Sequence, residues 1–259
     1  MVAITRINLI LAVCLLVGVP IGATESAKKV FTIGVEAIDY YPHFRFMHET
    51  DKGFGWAVME AFSNQSGYEF KYIPLPVARL RNAMRHGKLD FAYPDNPNWH
   101  EEESVKSFKY SLPFAIAMGG TMVSREWVNP KLENFQSLSV VRGFSPIKWL
   151  ALFENDNVQR VNVNDTTAAL ELVLRKRVTG ADVEYHVAKH HLRRLNRENE
   201  LKLAVTLPFD TVGFRLSTIK HHHIIAEFDT FLIKHADLID NLKKQYNLQD
   251  PQDILTLHQ

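Results

Sequence analysis

The sequence predicts a two-lobed α/β protein, each lobe a mostly parallel sheet flanked by helices. Three observations carry that expectation. Apolar runs of strand length alternate with amphipathic stretches of helical period, in the order β-α-β-α-β, over residues 30–93. A second series of the same kind begins near residue 138. No Gly/Ser linker, repeat or low-complexity tract separates the two series. They must then be joined by extended strands, for which residues 115–123 and 203–216 are the natural segments. A cleft between such lobes is a common ligand site.

The elements follow in order. Residues 30–35 (VFTIGV) form an apolar run of strand length. Residues 36–46 are a loop dense in aromatics, with Tyr40, Tyr41, Phe44 and Phe46 around Pro42 and His43. Gly53 and Gly55 precede a helix over 56–63 with Val58, Met59 and Phe62 on its apolar face; Gly67 ends it, and 70–73 is the next strand. In PVARLRNAMRHGKLDFAYPD (76–95), Val77, Leu80 and Met84 recur at helical spacing with Arg79, Arg81, Asn82 and Arg85 between them. Gly87 terminates that helix. Leu89, Phe91 and Tyr93 alternate with more polar or smaller residues, as a strand does, and Pro94, Asp95 and Pro97 stop it. Ligands of parallel α/β sheets sit beyond the carboxyl ends of the strands, so residues 93–98 are expected to line a site.

An acidic segment at 100–103 leads to Phe108, Tyr110 and Pro113, and 115–123 is a longer apolar strand. The second series reads as strand 138–141, a helix from Pro146, strand 158–163, helix 166–176, strand 181–183 and helix 184–196. Strands 201–207 and 212–216 follow. Two helices close the chain, one with Ile224, Ile225, Phe228, Phe231 and Leu232 as its apolar face, the other with Leu238, Ile239, Leu242 and Tyr246.

Composition narrows the function. A chain of 259 residues, 46% hydrophobic and 23% charged, can bury one large core or two lobes. A net charge of +1 and no basic run with interleaved aromatics argue against a nucleic-acid partner. Residues 1–23 read as a signal peptide: Arg6 supplies the positive start, 9–19 is unbroken apolar, and cleavage is expected after Ala23. That apolar run falls short of the roughly 20 residues a membrane span needs. The single cysteine, Cys14, lies inside it, so the mature chain has no disulfide and no thiol chemistry. Export without disulfides points to a periplasm.

The ordered landmarks resemble the periplasmic solute-binding proteins of the polar amino-acid type (family 3) that serve ABC importers. The likeness runs over about 30–248: IGV then YYPHF (33–44), Gly55 opening a helix, HGKLDF (86–91), FKYSLPF (108–114), TTAALELVLRKRVTGADVE (166–184) and the terminal helix 236–248. The resemblance implies a type II venus-flytrap fold. Residues 24–118 and 208–259 would form one lobe and 119–207 an inserted second lobe. It also implies ligand capture between the lobes, and delivery to an ABC permease or to a membrane sensor. The family's carboxylate-clamping arginine falls in the slot 100–103, where this chain has HEEE, nearest Glu102. Its amine-binding aspartate matches Glu184.

The candidate ligand-binding residues are therefore Tyr40, Tyr41, Arg79, Tyr93, Asp95, Arg142, Ser145 and Glu184. Tyr40 and Tyr41 would stack on a ligand, with ordinary packing as the alternative. Arg79, near a helix start, would clamp an anion; the alternative is a solvated face, as for Arg81 and Arg85. Ser145 and Pro146 suit a helix start whose free N–H groups, with Arg142 beside them, would hold an anion. Asp95 and Glu184 would receive a ligand cation from opposite lobes, or serve loop solvation and helix capping. No metal is expected: His186 and His190 are four apart and 221–223 is a histidine triplet, yet no third convergent ligand is evident. His190, His191 and the triplet are read as solvated.

No cofactor is expected, because no complete phosphate or dinucleotide loop occurs. The chain reads as a monomeric binding protein for a small polar solute, not an enzyme. The alternatives are a sensor or interaction module without transport, and a lyase-like enzyme for which Glu102 and Glu184 are the only acid–base pair.

Overall fold

The structure is a computed structural model, and it describes residues 28–100, 106–128, 130–155 and 157–258. The expected signal peptide with Cys14, and residues 101–103 of the HEEE slot, lie outside the described residues.

One sheet runs through the described molecule in the order β2-β1-β3-β10-β5-β8-β6-β7. Its first half holds β1 (Val30–Glu36), β2 (Glu69–Leu75) and β3 (Phe91–Asp95), with β1 parallel to both neighbours. Its second half holds β6 (Ser137–Val141), β7 (Gln159–Val163) and β8 (Gly180–Glu184), with β6 parallel to both neighbours. The two parallel halves are stitched by antiparallel strands. β5 (Ala115–Ser124) pairs with β8, and β10 (Asp210–Thr218) pairs with β5 on one side and β3 on the other. Short strands β4 (Lys109–Tyr110) and β9 (Leu201–Leu203) add to β10 and β5.

Helix α1 (Phe54–Ser66) starts two residues before the predicted one. Gly53 permits the start, because it holds φ +92° and a Cβ there would lie 2.8 Å from the Phe44 backbone. Helix α2 (Val77–Arg85) buries Leu80 and Met84, two of the three predicted stripe residues. In the second half come α3 (Leu150–Glu154), α4 (Thr166–Leu174) and α5 (Tyr185–Arg194). The Asp165 carboxylate caps α4 by accepting from the Ala168 amide at 2.8 Å. Helices α6 (His222–Lys234), α7 (Ala236–Gln245) and α8 (Pro251–His258) close the chain. No helix among the described residues is long and apolar enough to cross a membrane.

Four elements depart from the sequence reading. β3 runs on through Pro94 and Asp95, where the register of β10 shifts between Arg215 and Ser217. Proline cannot donate to a ladder, and an irregularity in the partner strand accommodates it. The strand expected over 201–207 stops at Leu203, because the Leu207 amide turns back to the Ala204 carbonyl at 3.1 Å. The helix expected from Pro146 is instead a 3₁₀ turn (Ile147–Trp149) leading into α3. Trp149 is fully buried there, its ring centroid 4.8 Å from that of Phe135. Finally, α8 is a third closing helix, anchored by the fully buried Ile254.

Candidate functional site

The two halves of the sheet part around a cavity of about 90 Å³, where β5 and β10 cross between them. That is room for a compact solute of metabolite size, about six water positions, and far less than a drug-sized pocket. Its middle is aromatic. Tyr40 stacks on Phe44 at 5.2 Å and meets Phe144 edge-on at 5.7 Å, with Phe214 behind and Trp99 on the wall.

At the end formed by the first half, Glu36 stands at the carboxyl terminus of β1 and Arg81 on α2. Glu36 is only 6% exposed. Burial pushes its carboxyl up to about 8, against the pull of Arg81 and with a smaller push from Asp95. Glu36 is therefore mostly protonated at pH 7. Among the described residues no hydrogen bond or ion pair satisfies the Arg81 guanidinium or the Glu36 carboxyl.

At the other end, Lys148 Nζ lies 2.7 Å from Asp182 Oδ1 and 3.0 Å from Asp210 Oδ1. Burial pulls the pKa of this lysine down; Asp182 and Asp210 outweigh it and hold the pKa above the ordinary lysine value. Asp182 is shifted upward, because its burial exceeds the attraction of Lys148. Gly119 leaves the space for this cluster, since a Cβ there would stand 2.3 Å from Asp210 Oδ1.

Glu184 lines the cavity from the end of β8, and both of its carboxylate oxygens accept hydrogen bonds. Oε2 accepts from the Val187 amide at 2.8 Å, which caps α5. Oε1 accepts from the Met118 amide of β5 at 3.2 Å and faces His186 Nδ1 at 2.9 Å. His186 Nε2 accepts from the Gln249 amide at 2.9 Å, so the ring proton is on Nδ1 and is donated to Glu184. His43 Nε2 stands 3.2 Å from Oε2 without hydrogen-bond alignment. Burial opposes ionisation of Glu184, but the two histidines and these donors prevail and hold its pKa well below the ordinary range. His43, Glu184 and His186 are close enough to surround a metal ion. The donor pattern is instead that of a closed hydrogen-bond cluster, because the Nδ1 lone pair a metal would need is occupied by a proton.

Of the predicted ligand residues, the cavity gathers Tyr40, Ser145 and Glu184. Five stand outside its walls. Tyr41 packs on His190 with the Arg45 guanidinium 4.1 Å from its ring centre. Arg79 is exposed, one residue off the buried stripe of α2. Tyr93 is fully buried and stacked on Phe114 at 5.1 Å. Asp95 is buried rather than solvated, and it binds His100 Nε2 at 2.6 Å, the Ser217 hydroxyl and the Asn96 amide. Arg142 is exposed, and the helix start expected beside it is absent. His191, read as solvated, is buried between Thr167 and the Asp39 carbonyl.

Sequence reading passed over Glu36, Arg81, Lys148, Asp182 and Asp210. Two signals were present: Arg81 lies four residues after Val77 and three before Met84, so it borders the buried stripe, whereas Arg79 does not. Glu36 follows directly on an apolar strand, where a parallel sheet presents its ligands.

No family model and no curated protein matches the chain. Solved structures do resemble it. An arginine transport-system periplasmic binding protein from Legionella pneumophila shares 16% identity over 85% of this chain and 100% of its own, with a TM-score of 0.66. A histidine kinase sensor domain with similarity to periplasmic binding proteins shares 15% over 85% of this chain and 96% of its own, at 0.69. An ancestral arginine-binding protein bound to arginine shares 17% over 85% and 98%, also at 0.69. The fold of this chain is thus the two-lobed α/β fold of the type II periplasmic binding proteins.

Proposed function

We propose that the chain captures a small polar solute in the cavity between its two lobes, in the periplasm, and hands it as a monomer to an ABC permease. The observation that carries this reading is a cavity walled by both halves of the sheet, with a guanidinium and a carboxyl facing it unpaired among the described residues. Contacts from both sides favour the closed arrangement by as much as the ligand's affinity differs between states. No chemistry on the solute is required. Glu184 is a weak general base, because its carboxylate already accepts from two backbone amides and His186 and its pKa is held low.

The test is a thermal-shift screen spanning amino acids, organic acids, polyamines and sugars, with intrinsic fluorescence as a second readout because Trp99 lines the cavity. A ligand at 100 times its Kd stabilises the fold by about 2.7 kcal/mol. A hit class that also perturbs Trp99 emission, with the change lost in Trp99→Phe, supports the reading. A flat screen on folded, ligand-free protein overturns it.

A second reading is a sensor module, favoured by the likeness to a histidine kinase sensor domain. It shares the cavity and differs in the receiver of the closed form. Crosslinking of ligand-loaded protein in membranes, to a permease or to a sensor kinase, separates the two.

A further inference from the structure

The groups that would hold a ligand ammonium are already occupied from within the chain. Of the four carboxyls on the cavity wall, Glu184 is engaged by two backbone amides and by His186. Asp182 and Asp210 close on Lys148, whose ε-ammonium sits between them at 2.7 and 3.0 Å. The lysine therefore occupies the position a ligand amine would take. The fourth carboxyl, Glu36, is buried beside Arg81 and, held neutral, is a hydrogen-bond donor.

What remains open is donor-rich and cationic. Arg81, half-buried on the cavity wall, offers a forked set of N–H groups with no hydrogen-bond or ion-pair partner among the described residues. A carboxylate is the partner that the geometry of this fork fits. We infer that the cleft selects a small carboxylic acid without an ammonium group, such as a 2-oxo or 2-hydroxy acid, seated on Arg81 and Glu36 and excluded from the Lys148 end. This rests on the solute-binding reading above and names the class of solute.

The experiment compares matched pairs on the purified protein by thermal shift and calorimetry: pyruvate and L-lactate against alanine, L-malate against aspartate, 2-oxoglutarate against glutamate. At least one acid is expected to bind about tenfold or more tightly than its amino acid. Arg81→Met is expected to weaken that acid by about 10–100-fold, the worth of a charge-assisted pair. An amino acid that binds as well as its matched acid overturns the inference and leaves solute binding standing. An acid whose affinity survives Arg81→Met also overturns it. No response to any of these acids sinks the inference, and silence across the wider screen as well sinks the solute-binding reading with it.

Discussion

Glu36 sits where its charge is least welcome, at the end of a strand whose neighbours Ile33 and Val35 are fully buried. Its folded-state pKa of about 8 stands above the ordinary value of 4.5. Between those two pH values the unfolded chain has released this proton and the folded chain retains it. The folded state then binds more protons, so stability falls as pH rises through the window and levels off above it. At about 1.4 kcal/mol per pH unit, the fall attributable to Glu36 is on the order of a few kcal/mol. Glu36→Gln removes the titration. Urea unfolding from pH 5 to 9 is expected to show a shallower decline for the variant and a more stable variant at pH 8. Parallel curves for the two proteins would refute the assignment. The charge pattern also explains what the sequence could not disclose. Lys148, Asp182 and Asp210 are distant in the chain and meet only when β5, β8 and β10 lie side by side. No local spacing announces such a cluster, whereas Tyr40 and Glu184 lie in segments whose aromatic content and strand–helix junction are readable in one dimension.

Elements were legible where burial imposes a period. α2 and α6 present their apolar residues at the spacing the sequence shows, and β1 and β6 are short, largely apolar runs. The failures share a cause, a tertiary contact that overrides local preference. Trp149 fills a pocket against Phe135 and tightens the expected helix start into a 3₁₀ turn. α8 has a weak apolar face, and it is held by Ile254 and by the edge contact of Tyr185 with His258 at 5.3 Å. The segment before it also donates the Gln249 amide to His186. Ile254→Ala is accordingly expected to cost about 2–5 kcal/mol, the range for truncating a fully buried aliphatic side chain, read as a lower urea midpoint. A loss below about 1 kcal/mol, within the usual range for surface substitutions, would mean that α8 is an appendage.

The molecule as a whole is joined by its sheet. β5 and β10 belong to both halves, and one cluster of buried side chains runs from Phe31 in β1 to Leu203 in β9. The two lobes are thus expected to unfold together. Far-ultraviolet and near-ultraviolet circular dichroism should report one coincident urea transition, and two separated transitions would show that the lobes are independent folding units. Contacts across the cleft reinforce the join: His191 Nε2 meets the Asp39 carbonyl at 3.1 Å, and Arg194 reaches the Asp39 carboxylate at 2.9 Å. Glu184 has the widest reach of all. It caps α5, holds the backbone of β5, and faces a histidine of the aromatic loop and another that is tied to the chain's closing segment. His43, Glu184 and His186 therefore form one buried unit. Shortening or neutralising the acid would strand two buried imidazoles, and removing an imidazole would unbalance the acid, so a change at one of the three is expected to be tolerated only when the others change with it.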